Sequence, residues 1–405
     1  MDLILLTFFT AFGVVLFSTP SLIKVAILKR LFDEPTESRK LHSHVIPTVG
    51  GIIIFAGTFF SFVLWFPADS LLDIDVENSN YMKNAISLQT TKAAINDFKY
   101  ILASVFVLFF VGAKDDIIGT APIKRLAAHI LVALIIVLMA DIRIKSMHGI
   151  FNAYEIPYWS SIFLSLFAII VIINAFNFID GIDGLAAGIA LIAANIYGVW
   201  FYMCDDIIMS LLAFSLAGSL LAFLFYNFSP AKIFMGDSGS TTIGLLLAVL
   251  SIKAIETPSA DISDTVVSEI HRPIFVMATL CYPLIDTLRI FIYRSVRGIS
   301  PFEADKNHIH HVLIGTGMNH KMVSTTLYLS TLLMVGLTYY FRWMNVTTEF
   351  FFILGIAVIL TQAPIFFKRS PVAKLKNEAE VKTSSRGKIS EEVKKQLFQE
   401  NDFKV

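Results

Sequence analysis

Four polar residues spaced three apart, Asn174, Asn177, Asp180 and Asp183, follow directly on the apolar run Ile162 to Ile173. The stretch reads Asn174-Ala-Phe-Asn177-Phe-Ile-Asp180-Gly-Ile-Asp183-Gly184. Neighbours three apart meet on one side of a helix end. A carboxylate at membrane depth costs roughly 2.5–3.5 kcal/mol on insertion scales. A membrane chain that keeps two of them beside two amides has a use for them. A helix cap followed by a turn accounts for one Asp-Gly pair. It accounts poorly for two such pairs in tandem with asparagines.

Three further constellations carry chemistry. Lys114-Asp115-Asp116 ends another apolar run, with Lys124 and Arg125 shortly after. Adjacent carboxylates repel, so Asp115 and Asp116 call for a cation partner, a metal or a lysine. The basic pair also reads as an ordinary positive-inside loop. Phe234-Met-Gly236-Asp237-Ser-Gly239-Ser opens the run 240–254, and Asn227 stands ten residues before Asp237. Small residues with an Asp at a helix start make an anion- or metal-phosphate-binding turn, or an ordinary cap. His308-Ile-His310-His311 offers three imidazoles in four residues, able to bind zinc with outside ligands or to hydrogen-bond phosphate and sugar. Arg39, Lys40 and His42 precede Gly50-Gly51, a combination that suits a lipid phosphate headgroup.

Eleven apolar runs must position these residues. They lie near 3–19, 49–67, 99–113, 126–141, 159–176, 185–203, 207–226, 240–254, 273–293, 322–341 and 348–367. Hydrophobic residues make up 56% of the chain and charged ones 16%, too few charges for a soluble protein of 405 residues. The sequence therefore predicts an all-α polytopic membrane protein with about eleven transmembrane helices. Residues 1–17 lack a basic n-region and a clear cleavage site, so they read as the first span. Cys204 and Cys281 sit in apolar surroundings and read as packing residues. A net charge of zero gives no reason to expect nucleic acid.

Orientation follows from the loops. With the N-terminus outside, the inner segments hold 23 Lys and Arg and the outer ones 5; without the C-terminal segment the split is 13 against 5. The N-terminus is expected outside and the C-terminus in the cytoplasm. Every constellation above then falls on the inner side, as a membrane-surface active site requires. A transport path would leave polar residues at both faces and at mid-depth. A transporter or flippase of polyprenyl-linked sugars is the competing reading. It needs inner basic residues and a lipid groove, but not these carboxylate motifs together on one face.

Taken in order, Asp115-Asp116, the tandem Asn/Asp-Gly stretch, Phe234-Met-Gly-Asp237-Ser-Gly and the His308–His311 cluster resemble the polyprenyl-phosphate N-acetylhexosamine-1-phosphate transferase family. The likeness runs from about Asp33 to about His311. The histidine pattern is similar to the GlcNAc-1-phosphate branch, although Lys306-Asn307 stands where that branch usually has Arg-Gly. The chain divides into a transmembrane transferase domain over 1–369 and a charged cytoplasmic tail over 370–405 that shares no part in the likeness, and the resemblance implies a place in the bacterial cytoplasmic membrane with the site facing inward. It implies transfer of an N-acetylhexosamine-1-phosphate, GlcNAc-1-phosphate first and GalNAc- or MurNAc-pentapeptide-phosphate as other donors. UDP-N-acetylhexosamine would be the donor and undecaprenyl phosphate the acceptor, with UMP released. A homodimer is compatible with it. By the same resemblance Asp237 is the leading ligand of Mg²⁺ or Mn²⁺. Asp115 orients or deprotonates the lipid phosphate, and Asp116 assists metal and phosphate placement. Asn174, Asn177, Asp180, Asp183 and Asn227 line the nucleotide pocket, and Phe234 stacks on uracil. Lys124, His308, His310 and His311 meet phosphate or sugar.

Overall fold

Every apolar run read from the sequence is helical. The structure is a computed structural model, and it describes residues 1–29, 32–33, 46–67, 81–258, 265, 267–298 and 308–366. Its helices are α1 (Asp2–Leu28), α2 (Gly50–Leu64), α3 (Tyr81–Ile118), α4 (Pro122–Leu134), α5 (Tyr158–Ile179), α6 (Leu185–Met203), α7 (Ile207–Asn227), α8 (Gly236–Ile255), α9 (Arg272–Thr279), α10 (Cys281–Val296), α11 (Ile309–Gly315), α12 (His320–Tyr340) and α13 (Val346–Phe366). A π-helical turn, Ile135–Met139, prolongs α4. Among the described residues the β structure is slight: Phe32–Asp33 pairs antiparallel with Ile46–Pro47, and an isolated bridge joins Ser146 to Glu155.

The chain is an all-α polytopic membrane protein. Eight of the described helices are long and apolar enough to cross a bilayer, or nine if α9 and α10 form one span. The expected eleven also counted α2, which has 15 residues, and the apolar part of α3. Large apolar side chains such as Phe17, Phe163 and Phe225 stand exposed around the bundle, where lipid rather than water is their natural solvent.

The run 273–293 departs from expectation. It is two helices bent by 77° at Leu280. Pro283 explains the break. In a continuous helix its ring would collide with the carbonyl of Thr279, whereas in the first turn of a new helix its missing N–H costs nothing. This bend aims α10 at the histidine cluster.

α8 is the centre of the bundle, with 94% of its most apolar window buried. It packs against α3 and α5, while α1 and α6 flank α7. Its small residues make that central place possible. A Cβ added at Gly51 of α2 would lie 2.2 Å from the Gly239 nitrogen, so the two backbones touch directly. α2 also delivers the Gly50 and Gly51 amides to the carbonyls of Phe234 and Met235, at 2.9 and 2.8 Å. Those amides are thereby committed to the protein.

Candidate active site

The N-terminus of α8 organises the first half of the site. Gly236 adopts a φ of +74°, which a side chain would resist, and so turns the chain sharply into the helix. Asp116, at the end of α3, then caps α8 from outside. Its carboxylate accepts from the Asp237 and Ser238 amides at 2.6 and 3.1 Å and from Ser238 Oγ at 2.6 Å. These are orphan donors of a helix start, and an anion there also complements the helix dipole. Both oxygens of Asp116 are thereby engaged in holding the turn. Expectation had it beside the metal.

Asp237 and Asp115 converge instead on Arg125. One guanidinium nitrogen lies 2.5 Å from Asp237 and 3.0 Å from Asp115. Asn177 donates to the other oxygen of Asp237 at 2.9 Å and to Ser240 Oγ at 3.0 Å. Lys124, the expected phosphate contact, is exposed; its neighbour Arg125 turns inward. Successive helical residues point about 100° apart, so only one of the pair can face the carboxylates. Arg125 shares its face with His129 one turn on, and this i, i+4 pair on an apolar helix was the missed signal. His129 is buried, with Nδ1 3.3 Å from the Asn174 amide, whose nitrogen also donates to Ile170 O. Arg125, His129, Asn174, Asn177 and Asp237 line one small cavity of about 30 Å³.

The second half of the site is the histidine cluster at the start of α11. His308 and His310 are buried and stack with ring centres 5.4 Å apart and planes 11° apart, and the His311 ring lies 4.3 Å from His310. Asp286 and Tyr282 of α10 take their Nδ1 atoms, at 2.9 and 3.1 Å. Sequence reasoning missed both partners. A carboxylate inside the apolar run 273–293 was the available signal for Asp286, by the same cost argument that singled out Asp180. Burial, and then the neighbouring His311, hold the His310 imidazole well below its usual range, so it is neutral at physiological pH.

The tandem Asn/Asp-Gly stretch is a strap between the two halves. Asn177 grips Asp237 at one end. Phe178 packs its ring 5.9 Å from that of His308, and Gly181 faces Nε2 of His310. Asp180 receives the Gly236 N–H; the protein around it, then the Asp237 and Asp116 charges, push its carboxyl up to about 8. At the far end Asp183 is buried, accepts from the Ala231 amide at 3.2 Å and lies 3.3 Å from His320 Nδ1. Asn227, also buried, accepts from the Gly184 amide at 3.1 Å and donates to Ile233 O at 2.9 Å. Tyr328 of α12 bonds the Gly184 carbonyl. Asp183 and Asn227, which the resemblance has lining a nucleotide pocket, thus fasten the strap. Phe234 is half-buried, its backbone tied to Pro47 and Gly50. Arg39, Lys40, His42 and the tail 370–405 lie outside the described residues.

Residues 98–255, which run from within α3 to the end of α8 and include all of the carboxylate cluster, match Glycosyl transferase family 4. An undecaprenyl-phosphate alpha-N-acetylglucosaminyl 1-phosphate transferase of Yersinia pestis is 30% identical over 322 residues, covering 77% of this chain and 78% of its own. The chain belongs to the polyprenyl-phosphate N-acetylhexosamine-1-phosphate transferase family. The Salmonella typhi protein of the same name is 29% identical over 320 residues, 77% of each chain. A probable undecaprenyl-phosphate N-acetylglucosaminyl 1-phosphate transferase of Bacillus subtilis is 29% identical over 328 residues, 80% of this chain and 81% of its own. In this transferase the family match ends at α8, yet the histidine cluster lies beyond it. The strap joins the matched carboxylates to those histidines.

Proposed function

We propose that this transferase moves GlcNAc-1-phosphate from UDP-GlcNAc to undecaprenyl phosphate at the cytoplasmic face of the bacterial inner membrane, releasing UMP. The names of the relatives support the donor and acceptor, and the Lys and Arg bias of the loops supports the face. The observation that carries the reading is the pairing of Asp115 and Asp237 around the single charge of Arg125, within one strap's length of two held histidines. In the reaction an oxygen of the lipid phosphate bonds to the phosphorus of the sugar phosphate, and the bond from that phosphorus to UMP breaks. One pyrophosphate is exchanged for another. Catalysis is then chiefly positioning and charge neutralisation.

The residues fit a Mg²⁺ ion. Asp237 and Asp115 offer hard carboxylate oxygens around one positive charge, and Mg²⁺ is commonly held by one or two carboxylates together with substrate phosphates and waters. Bound there, the ion would neutralise charge on the diphosphate. Arg125 would supply the same service from the protein side and hold Asp115 and Asp237 together. Asp115 would orient the lipid phosphate, and Asn177 would keep Asp237 in its rotamer. His308 and His310 would meet the sugar-phosphate end of the donor. Incubation of the purified protein with radiolabelled UDP-GlcNAc and undecaprenyl phosphate tests the reading. Label should appear in a butanol-extractable lipid, and its absence with a fully folded protein would refute the transferase assignment of this substrate.

A further inference from the structure

Tyr282 and Asp286 stand four residues apart on α10 and so share one face of it. Both are buried, Asp286 completely. Asp286 Oδ2 accepts from Nδ1–H of His308 at 2.9 Å. Its Oδ1 accepts from the Ile309 amide and from Arg289 Nη2, each at 3.0 Å. A carboxylate can only accept, so a His308 proton must sit on Nδ1. Tyr282 Oη lies 3.1 Å from His310 Nδ1, within hydrogen-bond distance. Nε2 of His310 faces Gly181 of the strap.

We infer that Tyr282 and Asp286 are positioning residues for the transfer reaction: they hold the stacked His308 and His310 rings by their Nδ1 atoms, so that His308, backed by His310, meets the sugar-phosphate end of the donor substrate in one fixed orientation. The inference rests on the transferase reading of the site. Its geometry is local and consistent: two partners on one helix face, two rings stacked within 11° of parallel, and both Nδ1 atoms taken from the same side. The 77° bend before Cys281 makes it possible, because a straight α9–α10 span would carry residues 282 and 286 away from α11. Arg289 supplies the countercharge that a buried carboxylate needs.

The test is a double-mutant cycle on kcat with the full-length protein in nanodiscs. D286N keeps the shape of the side chain but has one acceptor oxygen for the three donors now served by two. It should lower kcat about 10–100-fold, the scale seen when partners that orient functional histidines are removed, with UDP affinity unchanged. In the H308A background the same substitution should cost almost nothing more, because it acts through His308. Additive losses, or a D286N enzyme with wild-type kcat, would overturn the inference. Nitrogen NMR of ¹⁵N-histidine-labelled protein reads the tautomers without any turnover. The signal assigned to His308 by its loss in H308A should be the Nδ1–H form and should change in D286N. An Nε2–H form in the wild type would also overturn it. If D286N does not fold, Y282F, which deletes one atom, supplies the equivalent measurement on the His310 signal. A wild-type protein that transfers no sugar phosphate but carries the His308 proton on Nδ1 would sink the substrate assignment and leave the placement of the rings standing.

Discussion

Gly181 lies against His310: a Cβ built on the glycine would sit 2.8 Å from Nε2 of the imidazole. The second half of the tandem motif is therefore in contact with a residue 129 positions away in sequence, and the space between them admits no methyl group. Gly181→Ala should push the ring or the strap aside. A shift of about 1 Å in a positioned group costs on the order of 10²-fold in rate, so kcat/KM with UDP-GlcNAc should fall by about that factor. Wild-type kinetics in this variant would mean that the contact does not matter to turnover.

Arg125, and not Lys124, faces the carboxylates. Arg125→Ala should lower kcat/KM by about 10²–10³-fold, the range for removing one group that stabilises developing charge. Arg125→Lys should recover only part, since a point charge cannot reproduce the forked geometry. Lys124→Ala should stay within about threefold of wild type, as exposed charges contribute little. Steady-state transfer assays on the three variants decide it. A Lys124 variant more damaged than the Arg125 one would reverse the assignment.

Metal dependence separates Asp237 from Asp116. Chelation with EDTA should abolish transfer, and Mg²⁺ or Mn²⁺ should restore it. Asp237→Asn should lower turnover by about 10²–10³-fold with little change in melting temperature. Asp116→Ala should act on stability first, because it strips the α8 start of three hydrogen bonds to a charged group, each worth about 1.5–3 kcal/mol. Its melting temperature in detergent should drop well below that of Asp237→Asn. Equal melting temperatures would remove the capping role, and full activity in EDTA would remove the metal.

The donor can be read from specificity constants. The ratio of kcat/KM for UDP-GlcNAc, UDP-GalNAc and UDP-MurNAc-pentapeptide should favour the first. A site that hydrogen-bonds an acetamido or hydroxyl group leaves its own polar atoms unpaired when the substrate lacks a match. Preference for the pentapeptide donor would refute the branch; preference for UDP-GalNAc would refute only the sugar.

Orientation is open to labelling. Asn152, exposed in the segment between α4 and α5, should lie outside, and Ser295, exposed near the end of α10, inside. With both natural cysteines buried, Asn152→Cys should react with an impermeant maleimide in intact cells after outer-membrane permeabilisation, and Ser295→Cys only after lysis. The opposite result would invert the topology and move the site to the other face.

By itself the sequence determined the helices and the parts list of the site. Apolar runs cannot leave their backbone polar groups unpaired in lipid, so each one had to become a helix. Carboxylates beside such runs are costly enough to flag themselves, which is why Asp115, Asp180 and Asp237 were legible, as were the histidines by their density. Tertiary structure alone decided what each polar residue touches. Asp116 caps α8 across 121 positions, Asp183 and Asn227 fasten the strap, and Arg125 replaces Lys124 because of how α4 is rotated. Tyr282 and Asp286 reach the histidines because the helix breaks at Leu280. The physical reason is common to all four. A side chain's cost of burial is set by its own chemistry and can be read along the chain. The partner that offsets that cost is set by which helix faces meet, and that depends on packing between elements far apart in sequence.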